Sequence, residues 1–137
     1  MISHMLDTNM VSHLLRGHPA AARRLTALPM ASLCISAITH GELMFGLAKR
    51  PEARRLHAAV HEFLLCVDIL AWDRAAAECY GSVRAGLTGL GNVVAPLDLL
   101  IAAHALSVGA VLATNDRAFS RVPGLIVEDW CAEPGTA

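Results

Sequence analysis

Short apolar runs alternate with longer segments of helical period along the whole chain, and no two runs are joined by a hairpin turn. Strands that follow each other through a helix pair parallel, with the crossover helices packed over both faces of the sheet. Ile2 to Leu6, Leu33 to Ser36, Val67 to Leu70, Ala110 to Ala113 and Leu125 to Val127 predict five such strands. The helices are expected from Asn9 to Arg16, from Ala20 to Leu28, from Ser36 to Lys49, from Glu52 to Leu65, from Asp73 to Leu87 and from Pro96 to Val108. Gly17 with Pro19, Pro29, Pro51 and Gly109 supply the stops. Gly86 to Asn92 is expected to be a loop, and Glu133 to Ala137 a loose tail. The fold class is therefore α/β, a single domain built on a parallel sheet covered on both sides.

Composition narrows the function classes. Of 137 residues 55% are hydrophobic, more apolar surface than a domain of this size hides, so a homodimer or partner interface is expected. The longest apolar stretch, Leu97 to Ala113, is interrupted by Asp98, His104 and Ser107 and is too short to cross a bilayer. No membrane segment and no secretory signal are expected. Cys34, Cys66, Cys79 and Cys131 are far apart, which suits reduced thiols rather than a disulfide framework or a zinc site. A cytoplasmic location follows from these features. A net charge of −1 excludes a broadly basic nucleic-acid-coating protein, although the cations are ten Arg against a single Lys, Lys49.

Four acids stand where an apolar run ends or a helix begins: Asp7, Glu42, Asp98 and Asp116. Each has an ordinary explanation. Asp7 can cap a helix, Asp98 can sit favourably at a helix start, Asp116 can serve a turn, and Glu42 can face solvent. Together they point elsewhere. The carboxyl ends of parallel strands share one edge of the sheet, where ligands bind at the topological switch point. Asp7 and Asp116 each follow a strand, Glu42 lies about one and a half turns into the helix after the second strand, and Asp98 opens the sixth helix. Carboxylates brought together among apolar neighbours need protons, donors or a cation, and a divalent cation with oxygen ligands relieves them most directly. Metal-dependent chemistry on a phosphate substrate is the expectation. Thr8, Asn9, Ser36, Thr114 and Asn115 are placed to orient carboxylates or bind a phosphate, with helix capping an equal reading for the first three.

The motifs Met-Leu-Asp7-Thr8-Asn9, Ile-Ser36-Ala-Ile-Thr-His-Gly-Glu42-Leu, Pro96-Leu-Asp98-Leu-Leu-Ile-Ala-Ala-His104-Ala, Thr114-Asn115-Asp116-Arg117-Ala118-Phe119, and Val122-Pro123-Gly124-Leu125 with Glu128-Asp129-Trp130 span nearly the whole chain. In their order and spacing the sequence resembles the PIN-domain ribonucleases, specifically the VapC-type toxins of bacterial type II toxin–antitoxin pairs. The resemblance implies a PIN domain over residues 1–132, a three-layer α/β/α sandwich, and Mg²⁺ or Mn²⁺ as cofactor. It implies cleavage of single-stranded RNA to a 5′-phosphate and a 3′-hydroxyl, with Asp7 and Asp98 holding the principal metal and Glu42 and Asp116 completing it. It also implies homodimers, and inhibition by a VapB-type antitoxin cradled by the helices of Asn9 to Leu28 and Ile38 to Leu64; DNA would be met only through that antitoxin. Two positions depart from the pattern: Ala118 stands where many relatives carry a fifth acid, and Ala95 where many carry Gly.

Two readings compete with this one: a catalytically weak module acting through partner binding, and a phosphohydrolase with an aspartyl-phosphate intermediate. Retention of four acids opposes the first. Asn9 in place of a second Asp, and the lack of a later lysine, oppose the second. His57 and His61 are one helical turn apart but have no obvious third ligand, and His104 on an Ala-rich helix is expected to be packed or hydrogen-bonded. Gly86, Gly89 and Gly91 do not follow a strand in the order a dinucleotide fingerprint needs.

Overall fold

Met5 and Leu6 are both shielded from solvent, yet they belong to different cores. Successive strand residues point to opposite faces, so a strand covered on both sides has to be apolar at every position. The computed structural model describes residues 1–132 and sets this strand in the middle of a five-stranded sheet. Its strands are β1 (His4–Leu6), β2 (Leu33–Ser36), β3 (Asp68–Leu70), β4 (Val111–Ala113) and β5 (Val127–Glu128). They lie in the order β3-β2-β1-β4-β5, and every pairing is parallel.

Six helices cover the two faces. On one side α1 (Thr8–Leu15), α2 (Pro19–Thr26), α3 (Ala37–Ala48) and α4 (Arg54–Cys66) pack Val11, Ala21, Leu43 and Val60 around Leu6, Leu33 and Ile35. On the other, α5 (Arg74–Gly89) and α6 (Pro96–Val108) bring Leu87, Leu99, Ile101 and Ala102 against Met5, Cys34 and Leu112. Each fully buried aliphatic side chain contributes about 1.5–3 kcal/mol. The arrangement is the expected three-layer α/β/α sandwich.

Chain direction matters for function. From β1 the order moves outward through β2 to β3, and on the other flank through β4 to β5. The reversal opens a crevice at the carboxyl ends of β1 and β4. Local chemistry fixes the helices that begin there. Asp7 caps α1 by accepting from the Met10 N–H (2.7 Å), and Ser36 caps α3 by accepting from the Ile38 N–H (3.1 Å). Pro96 opens α6, Asp98 lies in its first turn, and Gly109 ends it at φ 68°, a left-handed conformation that favours glycine.

Several expected boundaries move. Gly86 and Gly89 do not form a loop: α5 runs on to Gly89, held down by Leu87, which is buried against the sheet, and only Gly91 turns at φ 72°. Tertiary burial outweighs the roughly 1 kcal/mol helical penalty of each glycine. Pro19 starts α2 rather than merely stopping α1, with the His18 ring accepting from the Ala21 N–H. The last strand begins at Val127 instead of Leu125, because Gly124 turns the chain at φ 81° just before it. The tail expected from Glu133 to Ala137 lies outside the described residues. Among the described residues no helix is long and apolar enough to cross a membrane.

Candidate active site

The strand ends are level. Leu6 pairs with both Ile35 and Ala113, and Ala113 pairs with Glu128. Two further backbone bonds continue the ladder past the strands, from Asp7 N–H to the Ala113 carbonyl (3.1 Å) and from Thr114 N–H to the Glu128 carbonyl (2.9 Å). Asp7, Thr114 and Asp129 therefore leave the sheet side by side at its carboxyl edge.

Asp7 is the most constrained of the four acids, only 2% exposed. Its Oδ1 accepts from the Met10 N–H, and its Oδ2 accepts a short bond from the Thr114 hydroxyl. Thr114 Oγ1 in turn accepts from the Asp116 N–H (3.0 Å), and Asp116 Oδ1 accepts from the Ala118 N–H (2.9 Å). The turn after β4 is thus braced against the end of β1. On the other flank the Thr8 hydroxyl donates to Glu42 Oε1 (2.6 Å). A hydroxyl has one proton, so the Thr39 hydroxyl, 3.2 Å away, donates to Thr8 in its turn.

Electrostatics ties the acids together. Burial pushes the Asp7 carboxyl up to about 6, against the lowering effect of the Thr114 and Met10 bonds, and the charges of Asp98 and Asp116 raise it further. Asp98, half-buried, is also raised, first by burial and then by Asp116 and Glu42. Asp7 thus feels the charges of Asp98 and Asp116, and Asp98 those of Asp116 and Glu42.

Among the described residues, no three His, Cys, Asp or Glu side chains stand in an arrangement that holds a metal ion. Threonine hydroxyls tether Asp7 and Glu42. The donor chemistry nevertheless fits a hard divalent cation. It is all carboxylate oxygen, and each Asp7 oxygen accepts a single hydrogen bond and keeps a lone pair. No His or Cys belongs to the set, which disfavours zinc.

The remaining expected residues fall into two groups. Asn9 and Asn115 are exposed, with side chains free of hydrogen bonds among the described residues. Ser36 is fully buried, and besides capping α3 its hydroxyl meets His104 Nδ1 at 2.8 Å. Burial lowers the His104 pKa, so the ring is neutral at pH 7. With its other nitrogen bonded to the Ala71 carbonyl, Nδ1 accepts from Ser36. This pair pins α6, which carries Asp98, to the start of α3, which carries Glu42. His57 bonds the Arg50 carbonyl (2.8 Å). Asp129, present in the motifs without an assigned role, walls a cavity beside Asp116 in the fold. The signal was its place directly after the last strand.

Known proteins of similar sequence share this fold. The sequence matches the PIN domain family over residues 4–125. It is 40% identical to the tRNA(fMet)-specific endonuclease VapC of Shigella flexneri, over 95% of this chain and 99% of that protein. Ribonuclease VapC2 of Haemophilus influenzae is 34% identical over 95% and 99% of the two chains. Among solved structures, a DNA-bound VapBC from Salmonella typhimurium superposes with a TM-score of 0.89 at 39% identity, covering 96% of this chain and 100% of the other. VapBC2 from Rickettsia felis, bound to a DNA fragment from its promoter, gives 0.86 at 32% identity, covering 93% and 98%. The chain belongs to the PIN-domain family and, within it, to the VapC proteins.

Proposed function

We propose that this protein is a Mg²⁺- or Mn²⁺-dependent endoribonuclease of the cytoplasm, the toxin of a type II toxin–antitoxin pair. The observation that carries the reading is the buried Asp7 carboxylate at the end of the central strand, pushed up to about 6 and facing the charges of Asp98 and Asp116. A group kept in so unfavourable a state is a functional candidate rather than a structural one. The names of the relatives, ribonucleases and an endonuclease, supply the substrate class.

Asp7 and Asp98 would hold the cation, with Glu42 and Asp116 completing its surroundings directly or through water. A divalent cation bound there neutralises charge on the phosphate and acidifies water near it, the chemistry needed for phosphodiester hydrolysis. The rest is the chain's own work. Thr114 fixes the Asp7 carboxylate, and Thr8 fixes Glu42. Ser36 acts at one remove, through His104. Asn9 presents a free amide suited to a phosphate or sugar oxygen, and Asn115 a second one beside Asp116.

A VapB-type antitoxin is the expected partner, because the similar structures are VapBC complexes. The groove between α1, α3 and α4, lined by Ser12, Leu15, Leu47 and Val60, runs to Thr8 and Glu42 and suits a peptide that ends at the acids. A homodimer is supported by Phe45 and Leu97, exposed beside a cavity of about 460 Å³. DNA would be reached through the antitoxin alone.

The test is cleavage of single-stranded RNA by the purified protein in Mg²⁺ or Mn²⁺. Internal cuts that leave 5′-phosphates, and that stop when EDTA is added, are the expected result. Cutting that persists in EDTA, or no cutting with either metal, would remove the proposal. A protein that binds its antitoxin but never cuts would be a partner-binding module instead.

A further inference from the structure

On the β5 side of the acidic edge lies a cavity of about 310 Å³ walled by Thr114, Asn115, Asp116, Arg117, Ser120 and Asp129. That volume stands at the lower end of the roughly 300–1,000 Å³ range of pockets that enclose a small organic group. Strand register builds it. Ala113 pairs with Glu128, and the Thr114 N–H reaches the Glu128 carbonyl, so Asp129 emerges level with Thr114 and Asn115.

The walls have unused hydrogen-bonding capacity. The Asn115 amide and the Arg117 guanidinium, both exposed, pair with nothing among the described residues. Asp129 accepts from the Cys131 N–H through Oδ1 (2.8 Å), which leaves Oδ2 without a partner among the described residues. Two carboxylates, Asp116 and Asp129, stand against one guanidinium, so a phosphate is repelled from the interior. A neutral heterocycle with donors and acceptors along its edge is not. An amide offers both kinds of group, and a carboxylate accepts from an exocyclic amino group, whereas uracil's single edge N–H lies between two carbonyls that repel a carboxylate. Unpaired bases of single-stranded RNA are read in this way, splayed from the stack and hydrogen-bonded along their edges.

We propose that this cavity receives the nucleobase next to the scissile phosphate, and that Asp129 and Asn115 select bases carrying an exocyclic amino group (adenine, cytosine or guanine) over uracil. The proposal rests on the ribonuclease reading of the neighbouring acids. It adds a specificity site beside them, sharing only Asp116 with the set proposed to surround the cation.

The experiment is sequencing of the cut ends from single-stranded RNAs randomised around the cleavage position, with Mg²⁺ or Mn²⁺ present. The unsubstituted protein is expected to disfavour uracil by roughly tenfold at one position adjoining the cut. In Asp129→Asn the amide oxygen still accepts from Cys131, but an NH₂ donor replaces a carboxylate oxygen, so preference at that position should swing towards uracil, whose edge presents a carbonyl. Asp129→Ala should lose the discrimination without reversing it. Circular dichroism of both variants checks that they are folded. The same base profile in all three proteins would overturn the assignment of this cavity while leaving the ribonuclease reading intact. No cleavage by the unsubstituted protein would sink that reading, and this one with it.

Discussion

Asp7→Asn should lower RNA cleavage by about a thousandfold or more while leaving the metal-free fold at least as stable as before. The loss follows from the role proposed for this carboxylate, since metal stabilisation of phosphate charge supplies several kcal/mol and each 1.36 kcal/mol is tenfold in rate. The retained fold follows from the hydrogen bonds. An amide oxygen can still accept from the Met10 N–H, and the new NH₂ can donate to Thr114 Oγ1, which otherwise donates to Asp7 Oδ2. The substitution also removes a charge that the fold disfavours. A carboxyl moved from 3.8 to about 6 places roughly 3 kcal/mol against the ionised form at neutral pH. The weaker neutral hydrogen bonds of Asn offset part of this, so a net gain of about 1–2 kcal/mol is expected by urea denaturation in EDTA. An Asn variant that cuts at the normal rate would end the proposed role of Asp7.

The second large effect is the pH dependence of that stability difference. Asp7 has a folded pKa above its unfolded one, so between 3.8 and about 6 the folded state binds more protons than the unfolded state. Stability from this group is therefore greatest at low pH and is lost as pH rises through about 6. Asp98, also raised, acts in the same direction. Glu128 and His104 act oppositely. The Glu128 carboxyl is held low by Trp130, His4 and Arg24 in spite of burial, so its contribution disappears on acidification. His104, lowered by burial, resists the proton that the unfolded chain takes up below about 6.5. Total stability mixes these trends, but the difference between Asp7→Asn and the unsubstituted protein isolates one of them. Measured in EDTA, the variant's advantage should be full above pH 7, shrink through about 6, and vanish or reverse near pH 4. A difference independent of pH would mean that the Asp7 carboxyl is not perturbed. Added Mg²⁺ should favour the unsubstituted protein, and more at pH 7.5 than at pH 5, because the cation requires the ionised carboxylates.

Much of this site was legible in the sequence because its determinants are local. An Asp after an apolar run caps a helix, Ser36 does the same one strand later, and Pro96 and Gly109 bracket α6. Alternation of runs and helices then places Asp7 and Asp116 at the same edge without any knowledge of contacts. Asp98 was not fixed in that way, since no strand precedes Pro96. It reaches the edge because α5 and α6 pack against each other and against the sheet, with Leu87, Leu99 and Ile101 in the shared core. The glycines of α5 misled for a related reason, as local propensity spoke for a loop and burial of Leu87 decided for helix. Pairings across long sequence separations were equally hidden. Thr8 with Glu42, Ser36 with His104, and the Asp129 wall of the cavity beside Asp116 exist only once parallel register brings strand ends level.

Anomalous diffraction from crystals soaked in Mn²⁺ tests most directly whether a single cation joins these distant segments. The expected result is a peak within about 2.0–2.4 Å of oxygens from both Asp7 and Asp98, with Glu42 and Asp116 beside it or one water away. Strong peaks elsewhere with none in reach of Asp7, at Mn²⁺ concentrations that support cutting of RNA, would contradict it.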